Sequence, residues 1–358
     1  MRKHKQLKVW QLILLDCLAI GLCLVIFAYF DHVRPQALTM PDTTISESAS
    51  RRQALMDAQT SQTVQTAPAE TQAPAGEADP SASQTEPSAF EAELSPVGVF
   101  DFPGIFASGE TEITADSYRS KNLYITVKNV THTKGENGSK YDQSYYIMHV
   151  YVRYIDSLQS VFAQDTYGDN ILEGFMPMVG RTGALAAVNT DFYGYGRHPK
   201  GLLIRNGILY GDQPNGEYDI LIVNEDGTFD MYPAGTCPDV SVLMEKGAWH
   251  SFSFGPILVK DGKRMSSYSK DDRDPRTCIG IVEPGHYVFA VCDGRQDNYA
   301  KGYNYKGMAE ILLGEGCVAA YNLDGGGSSQ LSFLGKLTNH PYNGGRELTD
   351  VLIVKEPY

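Results

Sequence analysis

Apolar positions along the chain fall into three regimes. Residues 12–30 are almost continuously apolar, large apolar residues are sparse from 36 to 95, and from about 97 onward they return in short alternating or unbroken runs. The first regime predicts a helix. At a rise of 1.5 Å per residue it would be about 28 Å long, close to the hydrocarbon thickness of a bilayer. Asp16 lies near its start, where a carboxylate still reaches the interface, and Trp10, Tyr29 and Phe30 stand where an aromatic belt would form. The third regime reads as strands. Residues 123–130 and 145–154 are β-branched or aromatic in alternation, and Asn206-Gly207, Asp226-Gly227 and Pro284-Gly285 each separate two apolar runs as hairpin turns do. A helix is expected over 305–313, with Met308, Ile311 and Leu312 on one face. Another over 170–181 is weakened by Pro177. A short strand over 318–323 then runs into three glycines. These elements add up to an α+β class: a single mixed-sheet, strand-rich globular domain with a few helices.

Charge sharpens this division. Arg2, Lys3, Lys5 and Lys8 precede the apolar stretch with no carboxylate among them, so the positive-inside rule leaves the N-terminus cytoplasmic and the C-terminal domain extracytoplasmic. The alternative is a cleaved signal peptide. No small-x-small site directly follows residue 30, and the run is long for a signal core, so an uncleaved single-pass anchor is the reading taken. The Ser-, Thr-, Ala-, Gln-, Glu- and Pro-rich middle cannot bury enough surface to offset chain entropy and is expected to be a flexible stalk. The domain division is therefore 1–34, a basic tip and transmembrane anchor; 35–96, a low-complexity stalk; and 97–358, the globular domain.

With 358 residues and 42% apolar composition the chain is long enough for a packed core, and 35 glycines with 22 tyrosines suit a turn-rich, strand-rich domain. A net charge of −13 without a basic face excludes a sequence-independent nucleic-acid binder. Cys237, Cys278, Cys292 and Cys317 lie in the third regime without C-x-x-C spacing, so zinc coordination has no motif to rest on. Cys278 and Cys292 flank the Pro284-Gly285 turn and could pair across strands; otherwise all four are small buried hydrophobes. Asn129-Val130-Thr131 and Asn137-Gly138-Ser139 match the glycosylation sequon.

Four clusters could carry chemistry. In Asn322-Leu323-Asp324-Gly325-Gly326-Gly327-Ser328-Ser329 three glycines let the backbone approach a ligand, their N–H groups could cradle an anion, and Asp324 supplies a carboxylate at a strand end. The segment is neither a Walker loop nor a nucleophile elbow, and its bland reading is an ordinary glycine turn. Asp293-Gly294-Arg295-Gln296 ends another apolar run, and Arg295 could grip two phosphate oxygens. Asn189-Thr190-Asp191-Phe192-Tyr193 offers an amide, a carboxylate and two aromatic faces for a sugar ring. Asp274-Pro275-Arg276-Thr277 adds a second arginine. His149, His198, His286 and His340 are scattered, with no H-x-x-x-H spacing.

In this order the pieces resemble the phosphodiester glycosidase family over about residues 120–355. The resemblance is carried by Asn189, Phe192 and Tyr193; Gly201 and Gly207; Phe254-Gly255-Pro256 with Asp261-Gly262; Arg276-Thr277 with Gly280; Asp293-Gly294-Arg295-Gln296; Glu310; the 322–329 loop; and Arg346, a late arginine. It implies hydrolysis of a sugar-1-phosphodiester at the anomeric C–O bond, in exopolysaccharide or cell-wall glycopolymer metabolism. In that reading Asp324, Asp293 and Glu310 are the catalytic candidates. Arg276, Arg295, Arg346, Gly325, Gly326, Gly327, Ser328 and Ser329 bind substrate phosphate, while Asn189, Asp191, Phe192 and Tyr193 meet the sugar. Thr190 and Asp191 replace two small residues of the family pattern, which touches substrate identity more than reaction type. Carboxylates converging near Asp324 and Asp293 would admit a divalent cation, though no ligand spacing demands one. The expected partners are a phosphorylated carbohydrate or glycopolymer and, through the N-terminal helix, a membrane. The competing class is a non-catalytic carbohydrate-binding module on a stalk.

Overall fold

Alternation with period two places one side of each strand against a core, and here both sides find one. In the computed structural model, residues 9–29, 34–38, 98–136, 139–194, 201–214, 216–266, 268 and 272–357 are described. The basic tip, nearly all of the expected stalk, Asn137, Gly138 and His198 lie outside them. Nine strands form one sheet in the order Lys263–Arg264, Ile257–Lys260, Ala319–Asn322, Arg276–Glu283, His286–Cys292, Gln143–Val152, Leu123–His132, Ser117–Arg119 and Glu112–Ile113. A five-stranded sheet runs Lys336–Leu337, Leu331–Phe333, Ala186–Asn189, Asp350–Val354 and Leu158–Phe162. A three-stranded sheet (Phe229–Tyr232, Asp219–Asn224, Ala248–Phe254) and the hairpin Leu202–Arg205 with Ile208–Asp212 complete the domain. The strand-rich α+β class is what forms. Its strands are shared among several sheets rather than gathered in one, and the strands of these sheets pair antiparallel.

The layers follow from which residues share a face. Ile125, Met148, Ile279 and Phe289 of the large sheet meet Val188, Leu331 and Leu352 of the five-stranded sheet and Trp249 and Phe252 of the third. The opposite face of the large sheet presents Cys278, Val288 and Ala290 to Met308, Ala309 and Leu312 of the helix Tyr305–Gly314. Ala187, Val351 and Ile353 on the outer face of the five-stranded sheet bury Phe175, Met178 and Val179 of the helix Phe175–Thr182. The result is helix, sheet, sheet, helix. The second helix tolerates Pro177 because the residue falls in the first turn, where its missing N–H would have had no intrahelical acceptor. Asn206 and Gly207 both take positive φ, as a type I′ turn requires.

One expectation, the cross-strand cysteine pair, is corrected here. Cys278 lies opposite Ala290 and Cys292 opposite Arg276, so the two thiols are out of register for a cross-strand bond, and all four domain cysteines are free. The N-terminal stretch is a helix over Val9–Ala28, with Leu18, Ile20, Leu22 and Leu24 exposed. Among the described residues, however, no helix is long and apolar enough to cross a membrane.

One buried cation holds several segments in a fixed relation. Arg205, with no exposed surface, donates from Nε to Asp350 Oδ2 (2.7 Å), from Nη2 to Asp191 Oδ1 (2.8 Å) and from Nη1 to the Ser251 and Ile204 carbonyls. Ser160 and Thr190 donate to the Asp350 carboxylate, and the Ser253 N–H to Asp191 Oδ2 (2.9 Å). The guanidinium stands 4.8 Å from the Phe252 ring. Burial pushes the Asp191 carboxyl up to about 6 against the pull of Arg205, with the charge of Asp350 adding to the rise. Removing the cation leaves two buried carboxylates unpaired. Arg205→Ala is therefore expected to lose about 3–5 kcal/mol in equilibrium urea unfolding, and a loss under 1 kcal/mol would count against the cluster.

Candidate active site

The glycine loop gets its shape from the strand it leaves and the segment it crosses. Leu323 donates its N–H to the Thr277 carbonyl (2.8 Å) and Gly326 to the Pro275 carbonyl (2.9 Å), which lays the bend against 274–277. A Cβ on Gly325 would come 2.7 Å from the Pro275 oxygen, so glycine is required there by close approach of two backbones. The loop then turns through Gly326–Ser328 as one 3₁₀ turn.

Asp324 is fixed on all sides. Gly325 N–H donates to Oδ1 (2.8 Å), Ser328 Oγ donates to Oδ2 (2.6 Å), and Arg346 pairs with Oδ2 while its Nε donates to Ser328 Oγ. The side chain keeps 11% of its surface in contact with solvent. Across the bend lies Arg295, half exposed, whose Nε donates to Asp274 Oδ1 (2.7 Å) and whose Nη atoms lie over Gly326, 3.1 and 3.5 Å from where its Cβ would be. Asp274 and, more weakly, Tyr342 and Asp324 favour its charged form. Arg295 holds φ +57°, a left-handed conformation that few non-glycine residues adopt outside functional sites. Two guanidinium groups thus flank a glycine bend beside a carboxylate.

Other residues of the sequence reading take different places. Asn189 is buried: its Oδ1 accepts from Thr277 Oγ1 (2.6 Å) and Gln330 N–H (3.2 Å), and its Nδ2 donates to the Asp324 carbonyl (2.8 Å). It positions the loop and does not face a sugar. Asp293 has no exposed side-chain surface, and its oxygens accept from Tyr299 Oη (2.8 Å), Asn339 Nδ2 (2.9 Å) and His340 N–H (3.0 Å). Burial pushes its carboxyl up while these donors pull it down. Such an enclosed group cannot attack a substrate, so the nucleophile role fails for Asp293. Arg276 turns to the other face of its sheet, stacks 3.9 Å over Tyr305 and donates to the Asp272 and Tyr303 carbonyls, while its Nη2 lies 4.0 Å from Oδ2 of Asp274, the carboxylate that Arg295 also holds. Glu310, on the helix Tyr305–Gly314, is exposed among Lys306 and Arg264 and belongs to that outer layer. Asp191 is held in the Arg205 cluster. Phe192 packs edge-on to Phe254 and Tyr218, and Tyr193 is wedged among Phe162 and Tyr167 with burial raising its phenol. Together with Ser253 and Gly201 these three line a small separate cavity. Ser329 is buried, with no partner for its Oγ among the described residues.

Sequence reasoning missed Arg205, Asp350, Asn339, Tyr299 and Tyr342. Arg205 ends an apolar run before Asn-Gly and looks like an ordinary turn-flanking charge. Asp350 becomes meaningful only beside Arg205, and the other three only once the segment 339–346 folds over the loop. Among the described residues no three His, Cys, Asp or Glu side chains are grouped to hold a metal ion. With the Asp293 oxygens fully engaged, the residues present do not fit the divalent cation that Asp324 and Asp293 were expected to admit.

Fold and crevice together define an antiparallel, strand-rich α+β domain with an arginine-flanked glycine bend. Residues 182–355 match the family model for phosphodiester glycosidase. The SPbeta prophage-derived uncharacterized protein YomE of Bacillus subtilis (strain 168) is 32% identical over 200 residues, covering 53% of this chain and 31% of that protein. Human N-acetylglucosamine-1-phosphodiester alpha-N-acetylglucosaminidase is 36% identical over 90 residues, 23% of this chain and 17% of that enzyme. The chain thus spans less than a third of the length of these curated relatives. The catalytic domain of the zebrafish N-acetylglucosamine-1-phosphodiester alpha-N-acetylglucosaminidase shares the fold, with a TM-score of 0.54 at 20% identity over 69% of this chain and 88% of that one.

The two ends of the bend differ in what they tolerate. A Cβ at Gly327 would meet only the Arg346 stem at 3.9 Å, an ordinary contact. Gly325→Ala is expected to cost about 1–3 kcal/mol through forced backbone displacement, whereas Gly327→Ala leaves the urea midpoint unchanged. Equal midpoints for both variants would contradict the stated loop packing.

Proposed function

We propose that the domain hydrolyses a sugar-1-phosphodiester at the anomeric C–O bond, releasing a free sugar and a phosphomonoester. The observation that carries this reading is the pair Arg295 and Arg346 on either side of the Gly326 bend, with Asp324 between them. A planar guanidinium matches two phosphate oxygens, and a fixed pair stabilises charge as it builds on a departing phosphate. Phosphate leaves far more readily than an alcohol, so the site has less need of a strong acid on the leaving oxygen. Asp324, held rigidly by Ser328 and the Gly325 N–H, is placed to favour positive charge at the anomeric carbon. The match of residues 182–355 to the phosphodiester glycosidase family model supports the same bond as the target.

The full-length protein is expected to release sugar from UDP-N-acetylglucosamine or a wall teichoic acid fragment, measured as free reducing sugar. Arg295→Ala and Asp324→Asn should each lower kcat/KM by about 10²–10³-fold, while Glu310→Gln leaves it unchanged. Binding without any turnover would replace the hydrolase by a carbohydrate-binding module.

The apolar stretch 12–30 behind four cations supports a membrane-anchored protein, N-terminus cytoplasmic, whose domain works outside the membrane on an exopolysaccharide or cell-wall glycopolymer. In intact cells, added protease should degrade the domain of the membrane-fraction protein. A protected or wholly soluble protein would overturn this placement.

A further inference from the structure

Asp293, closed to substrate, is the inner end of a hydrogen-bond chain that leads outward. Tyr299 has a single hydroxyl hydrogen and four polar neighbours: Asp293 Oδ2 at 2.8 Å, His340 Nδ1 at 3.1 Å, Ser144 Oγ at 3.2 Å and the Tyr146 hydroxyl. The carboxylate oxygen accepts only, so the hydroxyl hydrogen is committed to it. Tyr299 Oη is then free to accept from Ser144 O–H and His340 Nδ1–H. Asn129 Nδ2 donates to Ser144 Oγ (3.1 Å), which leaves that serine's hydrogen available to the tyrosine. Tyr146 Oη, 3.5 Å from the same Nδ1, is a further neighbour of the ring, and Asp293 Oδ2 lies 4.0 Å from it. This network favours the hydrogen on Nδ1. The other, Nε2, keeps its lone pair on a side chain that is 70% exposed.

The ring is carried by a segment that contacts the site. The segment 339–346 meets the site along its length: Asn339 Nδ2 bridges Asp293 and the Ser329 carbonyl, Tyr342 lies under the Arg295 guanidinium at 5.5 Å, and Arg346 holds Asp324. The His340 backbone is pinned at both ends, its N–H to Asp293 and its carbonyl to Gln296 Nε2 (2.8 Å). A surface histidine has no need of two backbone anchors and a buried carboxylate behind its ring.

We propose that His340 is the general base of this crevice, held as the Nδ1–H tautomer by Tyr299 and Asp293. The inference rests on the hydrolase reading above. As a water oxygen bonds to the anomeric carbon, the bond from that carbon to the phosphate oxygen breaks and its electron pair leaves with the phosphate. One water proton passes to His340 Nε2. The resulting imidazolium is stabilised through Tyr299 by the Asp293 charge and returns the proton to solvent. Asp293 and Tyr299 are positioning residues in this scheme; His340 is the catalytic one.

The test pairs kinetics with spectroscopy on the full-length protein. His340→Asn should lower kcat by about 10²–10⁴-fold, abolish the acidic limb of the pH–rate profile and leave the urea midpoint unchanged, since the ring is largely exposed. In long-range ¹⁵N spectra of histidine-labelled protein, the signals missing from His340→Asn should show Nδ1–H in the wild type and lose that preference in Tyr299→Phe. Wild-type turnover by His340→Asn, or an Nε2–H ring in the wild type, overturns the proposal. Failure of the wild type to cleave any sugar-1-phosphodiester overturns the hydrolase reading instead, and the ring tautomer then decides the arrangement alone.

Discussion

The site depends on a cation that never meets solvent. Arg205 brings five N–H donors into a place with no water to receive them, so each must find an oxygen at the right angle. Those oxygens come from Asp350 of the five-stranded sheet, Asp191 just beyond another of its strands, and Ser251 of the three-stranded sheet. The guanidinium is planar and rigid, so few relative placements of these segments satisfy it. Its worth as a net source of stability is small next to a well-packed apolar substitute, but the penalty for misplacing any partner is large. The constraint passes onward through Thr190, whose hydroxyl donates to Asp350 and whose carbonyl accepts from the Asp324 N–H (3.0 Å). The catalytic candidate is thus one residue removed from the buried ion cluster.

Within the crevice each arginine already has a carboxylate: Arg295 has Asp274 and Arg346 has Asp324. Paired cations are held in one orientation, which reduces the ordering cost that a ligand would otherwise meet. The two pairs differ. Arg295 uses Nε on Asp274 and leaves its fork over Gly326, whereas Arg346 directs Nη2 at the carboxylate that closes the loop. An anion arriving at the bend meets the first as a ready donor and the second as part of the wall. Both side chains are partly exposed, so attraction of a charged ligand weakens as salt rises.

What could be read from the sequence follows the range of the interactions involved. Hairpins such as Asn206-Gly207 are set by neighbours, and the glycine loop with Asp324 is a contiguous string, so both were legible. Long-range facts were not. Arg276 and Arg295 look equivalent in sequence, yet Arg276 lies on a strand where alternate side chains serve opposite faces, and the register sends it to Tyr305 while Thr277 goes to the site. Asp293 reads as a reactive acid because burial cannot be seen in a string of letters. Nor does the sequence reveal that four separated residues, Asn129, Ser144, Tyr299 and His340, converge behind it.

That convergence explains why one fully buried acid sits one loop away from another that keeps a small contact with solvent. Two carboxylates at one surface would repel each other and raise one another's affinity for protons. Here the crevice keeps Asp324 at its surface, neutralised by Arg346. The second charge lies in the interior, reaching the surface only through neutral groups, a phenol and an imidazole. A negative phosphate could then approach two cations without facing two anions. The segment 339–346 makes this separation structural: its first residues close over Asp293 and its last holds Asp324, so one short piece of chain keeps the two acids apart.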